Sequence, residues 1–209
     1  MVTIERYIVG AWKANCYLLT SQDETLVIDP GAQPGLLLPI LKNHNVKAIV
    51  ATHGHSDHIG AINEIRSEYL CPVFIGKDDA EMARNPIYSG FADEGSSYRV
   101  TDCEFVTEGS LITVGEEVLS VIETPGHTPG SLCLFNQKNA LLFTGDTLFR
   151  NGIGSTAFVL GDTPALIASL GRLGELPGNT TVLPGHGEST TIGEEKIHNI
   201  YLNGSTWHV

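Results

Sequence analysis

The chain has few basic residues, few cysteines and no long apolar run. Its 209 residues include 12 lysines and arginines against 24 aspartates and glutamates, a formal net charge of −12. Nucleic acids and anionic membranes bind basic surfaces, so this balance argues against both as partners. No apolar run approaches the roughly 18 residues that a membrane-spanning helix needs. These absences predict a globular protein that binds neither nucleic acid nor membrane.

The cysteines lie far apart and include no CxxC pair, which argues against a redox or zinc-ribbon motif. We predict that all of them are buried thiols that act as small apolar side chains: Cys16, Cys71, Cys103 and Cys133. Residues 1–8 lack a basic stretch followed by an apolar one. This predicts no export signal and a cytoplasmic location.

Length and a hydrophobic content of 42% predict one domain over residues 1–209. Short apolar runs bounded by glycine and proline alternate with stretches of helical spacing. Strands are predicted at 4–9, 16–19, 25–29, 46–51, 72–75, 110–114, 117–123, 131–135, 140–144 and 180–183. Helices are predicted at 35–44, directly after residue 58, at 163–176 and near 193–202, with a long loop or a short insertion at 85–101. Two halves that each mix strands with helices indicate an α+β fold, with helices on the outer faces of two packed sheets.

The placement of the histidines is the strongest signal in the sequence. Three of them share six positions with an aspartate, and two more, with a second aspartate, occupy separate glycine-rich turns after apolar runs. These residues are His53, His55, Asp57, His58, His127, Asp146 and His186. A rigid sheet can aim side chains from such turns at one point. The remaining histidines lack this context and are predicted to lie on the surface: His44, His198 and His208.

These residue types together indicate a metal centre. Neutral imidazole is the commonest protein ligand of zinc, and a carboxylate adds neutralising charge. His53 and His55, at a strand end, can converge on one ion. Asp57 and His58, at the start of the next helix, can face a second. Because the seven residues are too many for one tetrahedral ion, we predict two adjacent ions with an open position, a pair that generates a nucleophile at neutral pH.

The motifs resemble the five-part signature of metallo-β-lactamase-fold hydrolases. They are Thr52-His-Gly-His-Ser-Asp-His58, Gly126-His127-Thr, Gly145-Asp146-Thr-Leu-Phe and Gly185-His186-Gly, with further matches at Asn15-Cys-Tyr-Leu, Val27-Ile-Asp-Pro-Gly31 and Thr190-Thr-Ile-Gly-Glu-Glu-Lys196. The similarity runs over nearly the whole chain and is greatest to small glyoxalase II-like enzymes, which hydrolyse hydroxyacyl-glutathione thioesters. It implies an αββα sandwich of two mixed β-sheets with helices on both outer faces and the metals at one edge.

The resemblance also implies a role for each motif residue. The ligands implied for the first of two zinc ions are His53, His55 and His127, and those for the second are Asp57, His58 and His186. Asp146 would bridge the ions, and Asp29 would hold a ligand histidine from behind. Iron or manganese could replace zinc. In the implied mechanism a metal-bridging hydroxide, oriented by Asp57, attacks the thioester carbonyl.

Some positions depart from the family pattern. The resemblance predicts a basic residue at 155 and a tyrosine or aspartate at 157, where the chain has Ser155 and Ala157. This weakens a clamp for the carboxylates of glutathione, so Ser155 is a weak candidate substrate contact and Arg150 a candidate replacement for the clamp. Aspartate at 146, in place of a cysteine ligand, argues against one antibiotic-hydrolysing branch. The chain ends soon after the last motif, which predicts that it lacks the C-terminal helical domain of larger glyoxalase II enzymes.

Other activities on the same scaffold stay open. Persulfide dioxygenases of this fold hold one iron with two histidines and an aspartate, here His53, His127 and Asp146, a set suited to non-haem iron. A lactonase or another ester hydrolase would suit the uncharged residues at 155 and 157. A non-catalytic metal site that only holds loops together is disfavoured, because structural zinc sites are usually closed and rich in cysteine. In each enzymatic case the predicted partner is a small-molecule substrate, and the oligomeric state stays open.

Overall fold

Alternation along the strands explains how the chain builds layers. In strand β2 (Ala14–Ser21), Cys16 and Leu18 belong to one buried apolar cluster, whereas Tyr17 and Leu19 belong to another. Successive residues of a strand point to opposite faces, so a strand that is apolar on both faces is covered on both. The computed structural model describes residues 2–203, and His208, predicted to be a surface residue, lies outside them.

Two six-stranded sheets contain most of the strands. The first sheet consists, in spatial order, of β1 (Val2–Val9), β2, β3 (Glu24–Ile28), β4 (Asn45–Ala51), β5 (Val73–Gly76) and β6 (Glu104–Val106). The second consists, in spatial order, of β14 (Thr190–Thr191), β13 (Thr181–Pro184), β10 (Leu141–Gly145), β9 (Leu132–Asn136), β8 (Glu117–Glu123) and β7 (Leu111–Val114). A separate ribbon pairs β11 (Leu148–Phe149) with β12 (Gly152–Ile153).

The helices are short, and most of them follow strands. They are α1 (Pro34–Leu41), α2 (Ser56–Ile59), α3 (Ile62–Tyr69), α4 (Ala80–Arg84), α5 (Pro86–Ser89), α6 (Thr163–Gly174) and α7 (Ile192–His198), with a 3₁₀ turn at Lys77–Asp79. Within residues 2–203, none of these helices has the length and apolar character needed to cross a bilayer.

Three buried apolar clusters separate the elements into four layers. The first cluster packs Leu37 of α1 and Ile62 of α3 on the outer face of the first sheet. The second fills the space between the sheets, where the Tyr17 and Phe143 rings meet edge-on with centroids 5.3 Å apart. The third packs Leu166 of α6 on the second sheet. This helix–sheet–sheet–helix order, with both sheets mixed, confirms the predicted αββα sandwich.

Parallel pairing brings the carboxyl ends of several strands to one edge. Strands β3, β4 and β5 run parallel in the first sheet, and β10 and β13 run parallel in the second. Strands β8 and β10 both pair antiparallel with β9, so they share a direction as well. The segments that follow these strands contain all the candidate ligands, which therefore gather at this edge.

The helix predicted directly after residue 58 is divided into α2 and α3. The amides of Gly60 and Ala61 donate to the carbonyl oxygens of Gly31 and Pro30, respectively. These bonds replace helical hydrogen bonds and interrupt the helix between α2 and α3. A Cβ atom at Gly60 would lie 2.3 Å from the Gly31 oxygen, so this approach requires glycine. Tertiary packing thus overrides a continuous apolar spacing.

The loop predicted at 85–101 contains helix α5, so this prediction was wrong over its first residues. The Asn85 side chain accepts a hydrogen bond from the Ile87 amide and caps the helix, with Pro86 at its first position. Helix α4, strand β6 and the β11–β12 ribbon were also absent from the sequence prediction. Each is too short for an apolar period to be read. Helix α7 ends at His198 rather than near residue 202.

Most cysteines and histidines outside the motifs occupy the predicted environments. Three cysteines are buried free thiols, and Cys103 is half-buried. His198 lies on the surface, where its Nε2 is 3.5 Å from a Glu194 carboxylate oxygen. His44 is half-buried rather than a surface residue, because its Nδ1 lies 3.2 Å from the Thr25 hydroxyl and its Nε2 lies 3.5 Å from Glu5.

Candidate metal centre

The fold brings all the predicted ligands together from four loops. The loop after β4 supplies two histidines, α2 adds an aspartate and a histidine, and the loops after β8, β10 and β13 add one residue each. In that order they are His53, His55, Asp57, His58, His127, Asp146 and His186. Residues separated by more than 130 positions in sequence thus share one site.

Three groups of these side chains place their ligand atoms within 4.8 Å of one another. Two groups are the sets implied for the two ions: a first trio of His53, His55 and His127, and a second trio of Asp57, His58 and His186. The third group joins Asp146 to one histidine of each trio, His53 and His58. Asp146 is therefore placed where a bridging ligand is expected.

Two ligand atoms in the cluster lack the hydrogen-bond partners that buried polar atoms normally have, and the others lie against one another. His53 Nε2 and Asp146 Oδ1 are buried and make no hydrogen bond within the described part of the chain. His55 Nδ1 and His127 Nε2 lie 2.9 Å apart, and His58 Nε2 and His186 Nε2 lie 3.3 Å apart. Converging imidazole nitrogens and unpaired carboxylate oxygens suit a divalent cation. The residues present therefore fit the implied metals.

The two trios differ in electrostatic environment. In the first trio, burial and the neighbouring imidazoles hold the pKa of His53 well below its usual range and lower the pKa of His55 to about 3. In the second, burial lowers the pKa of His58, but nearby carboxylates, Asp57 foremost, outweigh it and raise the pKa to about 10. Burial raises the pKa of Asp57, and imidazoles led by His58 outweigh it and lower the pKa. The carboxylates thus concentrate negative charge on the second trio, as a cation site requires.

Asp29 lies behind the second trio. Its Oδ2 is 3.0 Å from His58 Nδ1 and accepts a hydrogen bond from the Thr52 hydroxyl at 2.7 Å. Its Oδ1 accepts from the Thr52 amide, also at 2.7 Å. A carboxylate in this position fixes the ring so that Nε2 faces the cluster. The contact is the one expected of Asp29 from the motif.

Asp79, at the end of the 3₁₀ turn after β5, is a site residue that the sequence analysis missed. The carboxylate is fully buried and accepts hydrogen bonds from the Gly54 amide at 2.8 Å, the Gly130 amide at 2.6 Å and the Thr128 hydroxyl at 2.7 Å. Burial raises the pKa of Asp79, and these donors oppose the rise. Because Gly54 lies between two ligand histidines and Thr128 follows a third, Asp79 joins the loops of the first trio.

Ser155 meets the site through its backbone. Its carbonyl oxygen lies 2.7 Å from His127 Nδ1, which orients that ring. Its hydroxyl accepts from the Ala157 amide at 3.2 Å within the same turn. Arg150 is exposed beside a polar surface pocket that Thr190, Glu194 and His198 also line. The structure thus gives Ser155 a contact that its side chain did not suggest.

Exposed aromatic side chains border the cluster. Phe158 is 57% exposed, and its ring centroid lies 5.4 Å from that of His55 and 6.1 Å from that of His127. Trp12, at the tip of the β1–β2 hairpin, is 68% exposed, and its Nε1 donates to Glu94 at 3.3 Å. The same Glu94 oxygen accepts from Ser56 at the start of α2. The rim of the site therefore has an apolar character that its interior lacks.

Proteins of known sequence resemble this chain over most of its length. The "Probable metallo-hydrolase YqgX" of Bacillus subtilis is 33% identical over 95% of this chain and 97% of its own. The "Hydroxyacylglutathione hydrolase GloC" of Haemophilus influenzae is 29% identical over 98% of this chain and 100% of its own. Both matches extend beyond the metal motifs to nearly the whole chain.

Solved structures share the fold. The BLEG-1 B3 metallo-β-lactamase superposes with a TM-score of 0.91 and 34% identity, over 97% of this chain and 100% of its own. TTHA1623, in a di-iron-bound form, superposes with a TM-score of 0.84 and 31% identity, over 95% of this chain and 100% of its own. Residues 9–186 match the family described as the metallo-β-lactamase superfamily. With the metal-binding cluster at its sheet edge, this chain belongs to the metallo-β-lactamase superfamily.

Proposed function

We propose that this protein hydrolyses a thioester, such as a hydroxyacyl-glutathione, at a pair of divalent metal ions, zinc in the first instance. The observation that carries the proposal is the grouping of two ligand trios around one shared aspartate, Asp146. A substrate of this kind is a small molecule, and we propose that the protein acts on it in the cytoplasm.

The chain's own residues supply the arrangement that such a reaction needs. When bound, the metal pair would supply a nucleophile at neutral pH and stabilise negative charge on the oxygen under attack. Asp57 Oδ2 lies 3.2 Å from His186 Nε2, so the carboxylate is held in place beside the second trio. From there it would accept a hydrogen bond from the attacking water and orient it. No serine or cysteine nucleophile is needed.

One relative supports the assignment of a thioester substrate, and one feature of the sequence argues against glutathione as its thiol part. GloC of Haemophilus influenzae is named a hydroxyacylglutathione hydrolase. Against a glutathione substrate stand Ser155 and Ala157, which provide no charge for its carboxylates. Arg150 is the cation that we propose as the replacement, since it follows Phe149, whose ring centroid lies 6.0 Å from that of the ligand His186.

Thiol release from S-lactoylglutathione tests the proposal directly. The metal-loaded protein should release thiol, and Asp57→Ala should reduce turnover by at least about 10³-fold while its circular dichroism stays unchanged. The matched control is Asp93→Ala, a change in an exposed carboxylate of the 90–95 turns that should leave turnover intact. Thiol release that persists in Asp57→Ala would overturn the assigned mechanism. No release from wild-type protein with two metals bound would overturn the glutathione assignment.

An oxidative reaction at one iron is the second candidate. A solved relative in a di-iron-bound form supports iron as a metal of this fold. His127 Nε2 lies 3.7 Å from Asp146 Oδ2, so these two residues, with His53, could together hold one iron. Metal analysis and oxygen uptake with a persulfide separate the candidates. Two zinc ions per chain without oxygen uptake favour hydrolysis, and one iron with uptake favours oxidation. Lactones and β-lactams belong in the same substrate panel, because the uncharged 155–157 turn and the named B3 relative support them.

A further inference from the structure

Three consecutive apolar side chains are exposed beside the first trio. Phe158, Val159 and Leu160 are 57%, 56% and 51% exposed. Single exposed apolar residues are common, but a contiguous exposed run beside a polar site marks a surface that contacts another molecule. The three side chains contribute nothing to the buried clusters of the fold. Their exposure therefore calls for an explanation outside folding.

The turn that presents these side chains is held in one conformation. The Gly161 amide donates to the Phe158 carbonyl oxygen at 3.0 Å, and a Cβ at Gly161 would lie 2.3 Å from the Thr156 oxygen. Leu160 adopts a left-handed φ of 69°, which is unfavourable for a leucine. The hydrogen bond that closes the turn presents the apolar side chains in a defined arrangement, which reduces the entropic cost of binding.

The turn is also fixed relative to the metal centre. The Asp162 amide donates at 2.7 Å to the carbonyl oxygen of Gly126, the residue before His127. The Phe158 ring meets the His55 and His127 rings nearly edge-on, at interplanar angles of 67° and 89°. An apolar group resting on Phe158 is therefore within a few ångströms of the first trio. A partner protein that covered this run would also have to cover the histidines.

The turn and the residues just before it cannot form an ion pair with a charged group of a substrate. Residues 152–161 contain no charged side chain. A substrate group that lies against the turn therefore meets methyl groups, hydroxyls and one aromatic face, and a carboxylate there would lose hydration without a partner. The apolar run and the uncharged turn point to the same kind of ligand.

We propose that the 157–160 turn, with Phe158 as its main contact, is the specificity surface of the metal centre. In place of the charged glutathione clamp that the family pattern predicts at 155 and 157, it offers an apolar contact to the acyl chain next to the scissile carbonyl. The inference rests on the proposed hydrolysis, and it narrows the substrate to thioesters with an alkyl or aryl acyl group. Phe158 acts by contact with the substrate and takes no part in proton transfer.

Binding of straight-chain carboxylates tests this without turnover. Acetate, butyrate, hexanoate and octanoate are titrated into the metal-loaded protein by calorimetry. Affinity should rise about two- to threefold per added methylene in the wild type, because each methylene is only partly removed from water on this exposed turn. In Phe158→Ala the octanoate-to-acetate ratio should fall about tenfold, and Phe158→Leu should restore most of it. Phe105→Ala removes a comparably exposed phenylalanine on β6, 48% exposed, and should match the wild type.

A turnover series separates failure of this inference from failure of the proposed function. Acetyl, butyryl, hexanoyl and octanoyl thioesters of one thiol are compared in the same variants. Turnover without dependence on chain length, or an equal loss on all chains in Phe158→Ala, would overturn the inference alone. No thioester turnover would overturn the proposed function, and the carboxylate titration would still decide the role of Phe158. Sedimentation is run alongside: a wild-type dimer that Phe158→Ala dissociates, with a flat carboxylate series, would assign the turn to a second copy and overturn the inference.

Discussion

Two buried aspartates, Asp29 and Asp79, flank strand β4, and they support the site in different ways. Asp29 follows β3, and Asp79 ends the turn after β5, so each lies beside the strand that leads to His53. Their exposures are 1% and 0%, and the carboxylate of each is in contact with three polar neighbours. By burial and number of contacts the two are equivalent.

Their partners differ. Asp29 contacts an imidazole nitrogen, so it sets which nitrogen of His58 carries the proton and leaves Nε2 free for a metal. Asp79 contacts two backbone amides and a hydroxyl, so it positions two loops without touching a ligand. A buried carboxylate can thus support a metal site in two ways: it can fix which nitrogen of a ligand histidine is protonated, or it can fix the position of the loops that carry the ligands. Substitutions that keep the shape of each side chain separate these two roles.

The largest effect is expected from Asp29→Asn. An amide that keeps the bond from the Thr52 amide turns its NH2 toward His58 Nδ1, and the ring must then carry its proton on Nε2. Because a protonated Nε2 cannot bind a metal, affinity for a metal ion at the second trio and turnover should each fall about 10- to 100-fold. Metal titration with content measured per chain checks this. Two ions bound with wild-type affinity would contradict the role given to Asp29.

A smaller effect on metal binding is expected from Asp79→Asn. The amide loses at least one of the three donors, which should lower the free energy of unfolding of the metal-free protein by about 1–3 kcal/mol. The substitution leaves the protonation of the ligand imidazoles unchanged, so metal affinity should change less than tenfold. Urea denaturation and metal titration of this variant and Asp29→Asn give the contrast. A loss of metal affinity equal to that of Asp29→Asn would remove the distinction between the two aspartates.

The smallest effects are expected from the hydroxyls that donate to these carboxylates. The Thr52 and Thr128 hydroxyls each donate at 2.7 Å, to Asp29 and Asp79 respectively, and valine has nearly the same shape as threonine. Each Thr→Val change should cost about 1 kcal/mol of stability. Because the Thr52 hydroxyl also lies 3.2 Å from His53 Nδ1, Thr52→Val should weaken metal binding severalfold, whereas Thr128→Val should not. Equal metal affinities in the two variants would show that the His53 contact is unimportant.

The sequence predicted the ligand set because each ligand lies in a short local motif that follows an apolar strand. Asp29 was predicted for the same reason. Asp79 was not, because its donors Gly54, Thr128 and Gly130 lie 25, 49 and 51 positions away. Gly54 approaches it through the pairing of β4 with β5, and Thr128 and Gly130 approach it only when the second sheet docks on the first. The strands and the layer order followed from apolar runs, whereas α4, β6 and the β11–β12 ribbon are too short to produce a pattern.

The rim shows a second limit. Ser155 and Ala157 stood out in the sequence because they lack the expected charge. The sequence did not show that the residue after them, Phe158, would lie against His55. Apolar residues in a glycine-containing turn carry no period from which orientation can be inferred. The turn that carries Phe158 is tied to the His127 loop by the hydrogen bond from the Asp162 amide to the Gly126 carbonyl oxygen, a contact between distant parts of the chain.

The wide spacing of the ligands has a consequence for biosynthesis. A ribosome releases the amino-terminal part of a chain first, and a domain generally folds as a unit. His58 is available long before His186, which follows it by 128 positions. A nascent chain that has exposed only its first half offers two histidines of the first trio and an incomplete second trio. The complete ligand set therefore requires the last long strand of the second sheet, β13, so a chain that offers all seven ligands has been synthesised at least to residue 186.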